Sequence, residues 1–271
     1  MKKAAILSWI ILIASNGFSQ NIDALAKAEK DFEKTCLQKG IREGFLSWLD
    51  SNAIEFSEKG PVSSKGLWGS LPNFDGVFTW SPSYAEMSLS GDWGYTTGNY
   101  MHRPKLLSDP VNEYGQYTTI WHRLPDGRWK YLFDIGNKHS MQPLEKQALK
   151  IDAKKNGSAN SGVEKKILEQ ENTFIRSFEE NIGRSYREMG SSHYLLNITG
   201  RTPVLSTDSA VEILKGNPSL HYQPGGTKIS PASDMAVVYG TFIQDGKIKS
   251  YLRVWRHEKE GWKIALEVIR I

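Results

Sequence analysis

Gly91-Asp92-Trp93-Gly94-Tyr95-Thr96-Thr97-Gly98-Asn99-Tyr100 has a counterpart later in the chain, Ser233-Asp234-Met235-Ala236-Val237-Val238-Tyr239-Gly240-Thr241-Phe242. Asp92 falls on Asp234, Gly98 on Gly240 and Tyr100 on Phe242, each pair 142 positions apart. The same spacing joins Glu29 to Glu171, Phe32 to Phe174, Pro61 to Pro203, Trp80 to Tyr222 and Pro82 to Pro224. Beyond a longer loop in the first copy the spacing shortens. Tyr117 to Trp121 matches Tyr251 to Trp255 at 134 positions, and Trp129 to Ile135 matches Trp262 to Val268 at 133. A spacing held over half a domain marks an internal duplication.

Length agrees: 271 residues suit two domains of roughly 110–120 each. The first copy is placed at residues 22–139 and the second, divergent one at 163–271. Between them runs a polar linker, 140–162, ending in Lys154-Lys155-Asn156-Gly157-Ser158-Ala159-Asn160-Ser161-Gly162. Its earlier part, Pro143 to Lys155, has Leu144, Leu149 and Ile151 at spacings open to an amphipathic helix.

Within the first copy, Leu25, Ala28, Phe32 and Cys36 recur at helical spacing, Gly40 breaks the pattern, and Ile41, Phe45, Trp48 and Leu49 mark a second short helix. Short β-type runs follow: Ala53–Ser57, Val77–Trp80, Tyr84–Ser90, Trp93–His102, Gln116–Leu124 and Arg128–Ile135. Pro125-Asp126-Gly127 is hairpin-turn chemistry, and Glu260-Gly261 stands in its place in the second copy. Helices first and an antiparallel meander afterwards predict an α+β fold. Strand Met235 to Phe242 is apolar on both faces, which predicts that the two copies pack sheet against sheet as an intrachain pseudo-dimer.

The N-terminus reads as a targeting segment. Lys2-Lys3 precede the apolar run Ala4 to Ala14 and the small-residue exit Gly17-Phe18-Ser19, so residues 1–19 are expected to be a signal peptide cleaved near Ser19. The expected location is periplasmic or secreted, with no membrane attachment after cleavage. The net charge of +4 includes Lys2 and Lys3 and is too small to argue for nucleic acid. Cys36 is the only cysteine, so it has no intrachain disulfide partner and is expected to be a buried, inert thiol.

Trp80-Ser81-Pro82, the run Ser90 to Gly98, the Tyr117-to-Trp121 strand and the Asp126-to-Lys130 turn together resemble the SnoaL-like, nuclear transport factor 2-like superfamily, in its secreted bacterial branch. The second copy keeps Trp255, Gly261, Trp262 and Lys263 but has Tyr222 for the first tryptophan and lacks the Gly-Asp-x-Gly run. The resemblance implies two tandem cones, each with N-terminal helices packed on a strongly bent antiparallel sheet and a pocket at the wide end. Relatives include isomerases, dehydratases, cyclases and non-catalytic binding modules, so the fold does not select a function.

No metal-ligand spacing, nucleophile motif or dinucleotide or phosphate loop occurs, and no cofactor or metal is expected. Two readings are weighed. The first is a non-catalytic binding module for a small apolar or aromatic ligand, or a protein partner, with Glu55, Trp80, Tyr95, Tyr100, Tyr117, Trp121 and Asp134 as candidate pocket residues. The other is a small-molecule isomerase, dehydratase or cyclase of the ketosteroid-isomerase-like type. In it Glu55 is the base, Asp134 the second acid and Tyr95 or Tyr117 a phenolic donor. Against both stands the plainer possibility that Glu55 is a solvated strand residue, Asp134 a salt-bridge partner and each tryptophan core, which the sequence alone favours. In the second copy Asn197 falls at or beside the Glu55 position and Glu267 replaces Asp134.

Overall fold

A computed structural model describes residues 13–73, 75–140, 150–152, 162–216 and 220–271. Helix α1 (Ile13–Lys39) buries the stripe Leu25, Ala28, Phe32 and Cys36. The expected cleavage point lies within its span, and residues 1–12 lie outside the described residues. Gly40, at φ +85°, turns the chain into α2 (Ile41–Trp48). There follow β1 (Leu49–Ser57), β2 (Gly60–Ser63), the short helix α3 (Ser64–Ser70), β3 (Val77–Met87), β4 (Trp93–Arg103), β5 (Glu113–Arg123) and β6 (Trp129–His139). The spatial order is β2-β1-β6-β5-β4-β3, and β7 (Lys150–Asp152) adds to the far edge of β3. The amphipathic helix that the spacing left open over Pro143 to Lys155 is not formed at residues 150–152, which are strand. The remainder of that segment lies outside the described residues.

The second copy repeats the order with α4 (Val163–Glu180), α5 (Ile182–Met189), β8 (Gly190–Ile198), α6 (Thr207–Leu214), β9 (His221–Ile229), β10 (Met235–Gln244), β11 (Lys247–Glu258) and β12 (Gly261–Arg270). Its sheet runs β8-β12-β11-β10-β9. The shift in repeat spacing is the loop between β4 and β5, residues 104–112, against the two-residue turn Asp245-Gly246. Both sheets are mixed rather than purely antiparallel. β1 lies parallel to β6 and β8 parallel to β12, because the chain crosses to the far edge before the meander returns.

Matched bulges bend both sheets into cones. Ser83 is the extra residue between the Pro82–Gly98 and Tyr84–Thr97 pairs, and Gly225 between Pro224–Gly240 and Gly226–Tyr239. There the strands approach so closely that a Cβ on Gly98 would lie 2.0 Å from the Ser81 carbonyl, and one on Gly240 2.1 Å from that of Gln223. This is the physical reason for the repeated glycine. A second matched pair of bulges, at Ile120/Trp121 and Val254/Trp255, bends the other half of each sheet.

Each cone has its own core inside the bend, built on Phe32, Trp121 and Tyr131 in one and Phe174, Tyr186 and Trp255 in the other. A third core joins the outer faces of the two sheets, with Tyr95, Ile120 and Phe133 against Val237, Leu252 and Val254. Buried polar contacts cross this junction: Arg256 Nη1 meets Glu86 Oε2 at 3.0 Å, and Asn197 Nδ2 donates to Thr97 Oγ1 at 3.0 Å and Thr118 Oγ1 at 3.1 Å.

Candidate functional site

The first cone opens to a cavity of about 810 Å³. Two acids face it from paired positions, Glu55 on β1 and Asp134 on β6, and Trp80, Tyr100 and Tyr117 stand on the strands across the bend. The second copy contributes the rim, through Lys247 to Ser250 at the start of β11 and Arg270 near the end of β12.

Glu55 is buried, not solvated, and this corrects the plainer sequence reading. Its Oε1 accepts from Trp68 Nε1 at 2.9 Å, from Tyr131 Oη at 3.1 Å and from Ser64 Oγ at 3.2 Å. Burial, and then the nearby Asp134 charge, hold its carboxyl well above the usual carboxylate range. Two of its donors come from α3, which sequence periodicity missed because seven residues give barely two turns of pattern. The local signal was there: the Ser63 hydroxyl caps the helix by accepting from the Gly66 amide.

Asp134 is no salt-bridge partner at a sheet end. It accepts from Thr119 Oγ1 at 2.7 Å, and burial pushes its carboxyl up to about 7. Trp80 and Tyr117 are buried cavity walls, and Tyr117's hydroxyl makes no hydrogen bond among the described residues. Tyr100 also faces the cavity, its hydroxyl donating to Glu113 at 2.9 Å.

Two candidates do not belong to the pocket. Tyr95 points from the opposite face of β4 into the junction between the sheets, where its hydroxyl donates to Glu86 at 2.7 Å, because strand parity sends it away from the cone. Trp121 is fully buried in the core behind the cavity, its Nε1 donating to Glu29 at 3.0 Å.

Glu29, noted in the sequence only as a repeat partner, lies behind the cavity. It sits on the apolar face of α1, fully buried, and takes hydrogen bonds from Trp80 Nε1, Trp121 Nε1 and the Thr96 hydroxyl. Burial raises its carboxyl to about 7. An acid inside a helical apolar stripe, repeated as Glu171, was the available signal.

The second cone carries the same frame with a different centre. Glu267 pairs in register with Leu196, so the counterpart of Glu55 is Leu196, beside Asn197. Where Thr119 faces Asp134, Arg253 faces Glu267. Its guanidinium is fully buried, bonded to Glu267 through Nε at 2.8 Å and to Glu171 through Nη1. It lies 4.1 Å from the ring centre of Tyr222, 4.5 Å from Phe174 and 4.6 Å from Tyr251.

No protein-family model and no curated protein matches this chain. Among solved structures it is similar to an NTF2-like protein from Cytophaga hutchinsonii, at 17% identity over 39% of this chain and 95% of that one, with a TM-score of 0.32. An NTF-2 like protein of unknown function from Shewanella oneidensis is similar at 12% identity over 40% and 98%, with a TM-score of 0.33. A protein of unknown function from Pectobacterium atrosepticum is similar at 17% identity over 42% and 98%, with a TM-score of 0.36.

Proposed function

We propose that the first cone is a small-molecule binding site and that the second copy serves as its structural partner. The observation that carries this reading is the asymmetry between the copies: a cavity of about 810 Å³ with two carboxyl groups facing it in one, a buried arginine at the matching place in the other. Apolar walls with a few convergent polar groups are the usual make-up of a small-ligand site. Mass spectrometry of the intact protein, purified without denaturation, tests the proposal by identifying any molecule carried with it. Titration with a neutral fluorescent probe, N-phenyl-1-naphthylamine, tests the cavity directly. Binding that disappears on filling the cavity with Gly136→Trp supports the reading, and absence of any occupant or probe binding refutes it.

A second reading, proton-transfer catalysis of the isomerase, dehydratase or cyclase type, is favoured by Asp134. A carboxyl raised to about 7 and facing the cavity is matched to general-base work near neutral pH. Here Glu55, held by three donors, would be the neutral acid opposite it. Retained ligand binding with complete loss of turnover in Asp134→Asn would select this reading over simple binding.

A further inference from the structure

We infer that the first cone takes an organic cation with a flat guanidinium head, seated where the second cone holds the side chain of Arg253. This rests on the reading of the first cone as a small-molecule site and names the class of its ligand.

The duplication supplies an internal template. In the second cone the guanidinium of Arg253 is held by two carboxylates, Glu267 and Glu171, and by the rings of Phe174, Tyr222 and Tyr251. Each has a counterpart in the first cone. Glu267 corresponds to Asp134 and Glu171 to Glu29, and the three rings correspond to Phe32, Trp80 and Tyr117. Those three rings and Asp134 line the cavity. Glu29 lies behind the cavity wall with Trp80, Trp121 and Thr96 as its donors, so the acids that face the seat are Asp134 and Glu55; the residue matching Arg253 is Thr119, whose hydroxyl reaches Asp134 and goes no further. Glu55 adds an acid to the cavity that the second cone lacks.

The physics favours such a head over a neutral one. A cation within about 6 Å of an aromatic face is attracted by the ring quadrupole, most strongly when desolvated. Glu55 and Asp134 face one cavity and disfavour each other's ionisation, and a cation between them favours the charged form of both. The guanidinium fork also matches carboxylate geometry through paired hydrogen bonds. Five rim residues carry the same charge as the proposed head: Lys59, Lys138 and Lys247 are exposed and screened by water and salt, Lys249 and Arg270 are half-exposed, and Glu55 is the most deeply buried of the charged lining. The floor therefore decides the charge of the head, and the rim keeps any anionic end of the ligand outward.

Calorimetric titration of the full chain with L-arginine, methylguanidine and L-citrulline tests this, since citrulline replaces only the guanidinium of arginine by a neutral urea. Arginine and methylguanidine are expected to bind, with citrulline at least tenfold weaker. Asp134→Asn should weaken arginine and methylguanidine at least tenfold more than it weakens N-phenyl-1-naphthylamine. Thr119→Arg should supply the cation from the chain itself and abolish arginine binding. If that variant does not fold, the Asp134→Asn comparison carries the test. Equal binding of arginine and citrulline, or binding of the naphthylamine with no binding of either guanidino compound, overturns the cation inference and leaves the cavity reading standing. Failure of all four probes overturns both.

Discussion

Thr119 and Arg253 occupy the same strand position in the two copies, each opposite the acid of the last strand. Thr119 Oγ1 donates to Asp134 at 2.7 Å, and Arg253 Nε donates to Glu267 at 2.8 Å. One side chain of the pair leaves a cone open and the other fills it. The same fold thereby encloses a cavity in one copy and an arginine side chain in the other.

Removing Arg253 strands two buried acids. Arg253→Thr is expected to destabilise the protein by about 3–5 kcal/mol, the cost of leaving a buried charge without its partner. Arg253→Thr combined with Glu267→Gln and Glu171→Gln should recover part of that loss. Urea denaturation of the three proteins measures it, and a loss under about 1 kcal/mol for the single variant would contradict the packing described.

The raised acids of the first cone set a pH dependence. Glu29 and Asp134 hold their protons up to about 7 in the folded chain, above the values near 4 of an unfolded one. Between those values the native state binds more protons than the unfolded state, so their contribution to stability falls as pH rises from about 4 to about 7. Denaturation midpoints across this window should drop less steeply in Glu29→Gln and Asp134→Asn than in the parent. Identical slopes would show that the two groups titrate normally.

The junction between the sheets depends on a buried ion pair. Arg256 Nη1 lies 3.0 Å from Glu86, which also accepts from Tyr95. Arg256→Ala is expected to cost about 3–5 kcal/mol, and Arg256→Met, which keeps the volume, noticeably more when Glu86 is retained than with Glu86→Gln. A double-mutant cycle on Arg256 and Glu86 reads the coupling; additive losses would show that the pair does not interact.

Helices α1 and α2 meet where no side chain fits. A Cβ on Gly44 would lie 2.2 Å from Cys36 Sγ and 2.8 Å from its Cα. Gly44→Ala should destabilise by about 1–3 kcal/mol, as overpacking does. Adding Cys36→Ala should relieve only part, because the backbone contact remains. Thermal melts of both variants decide it, and an unchanged melting temperature in Gly44→Ala would mean that the helices separate freely.

The duplication, the α+β class, the apolar stripe of α1 and the hairpin turns were legible in the sequence because each is carried by local spacing or by self-similarity. Glycines 98 and 240 were visible as repeats, although their reason, close approach at a bulge, was not. The site was legible in part: Glu55, Asp134, Trp80, Tyr100 and Tyr117 face the cavity, whereas Tyr95 and Trp121 do not. Strand parity and the bulges decide which way a side chain points, and neither is printed in residue type. The roles of Glu29 and Arg253 were not legible because they come from partners far away in the chain, and that of Trp68 because α3 was not recognised. Arg253 meets Glu171 across 82 residues, and Trp121 meets Glu29 across 92. Burial determines whether a carboxyl is solvated or held neutral, and burial is a property of what the fold brings around it. The sequence by itself determined that two like domains exist; only the tertiary structure decided that one encloses a space and the other an arginine.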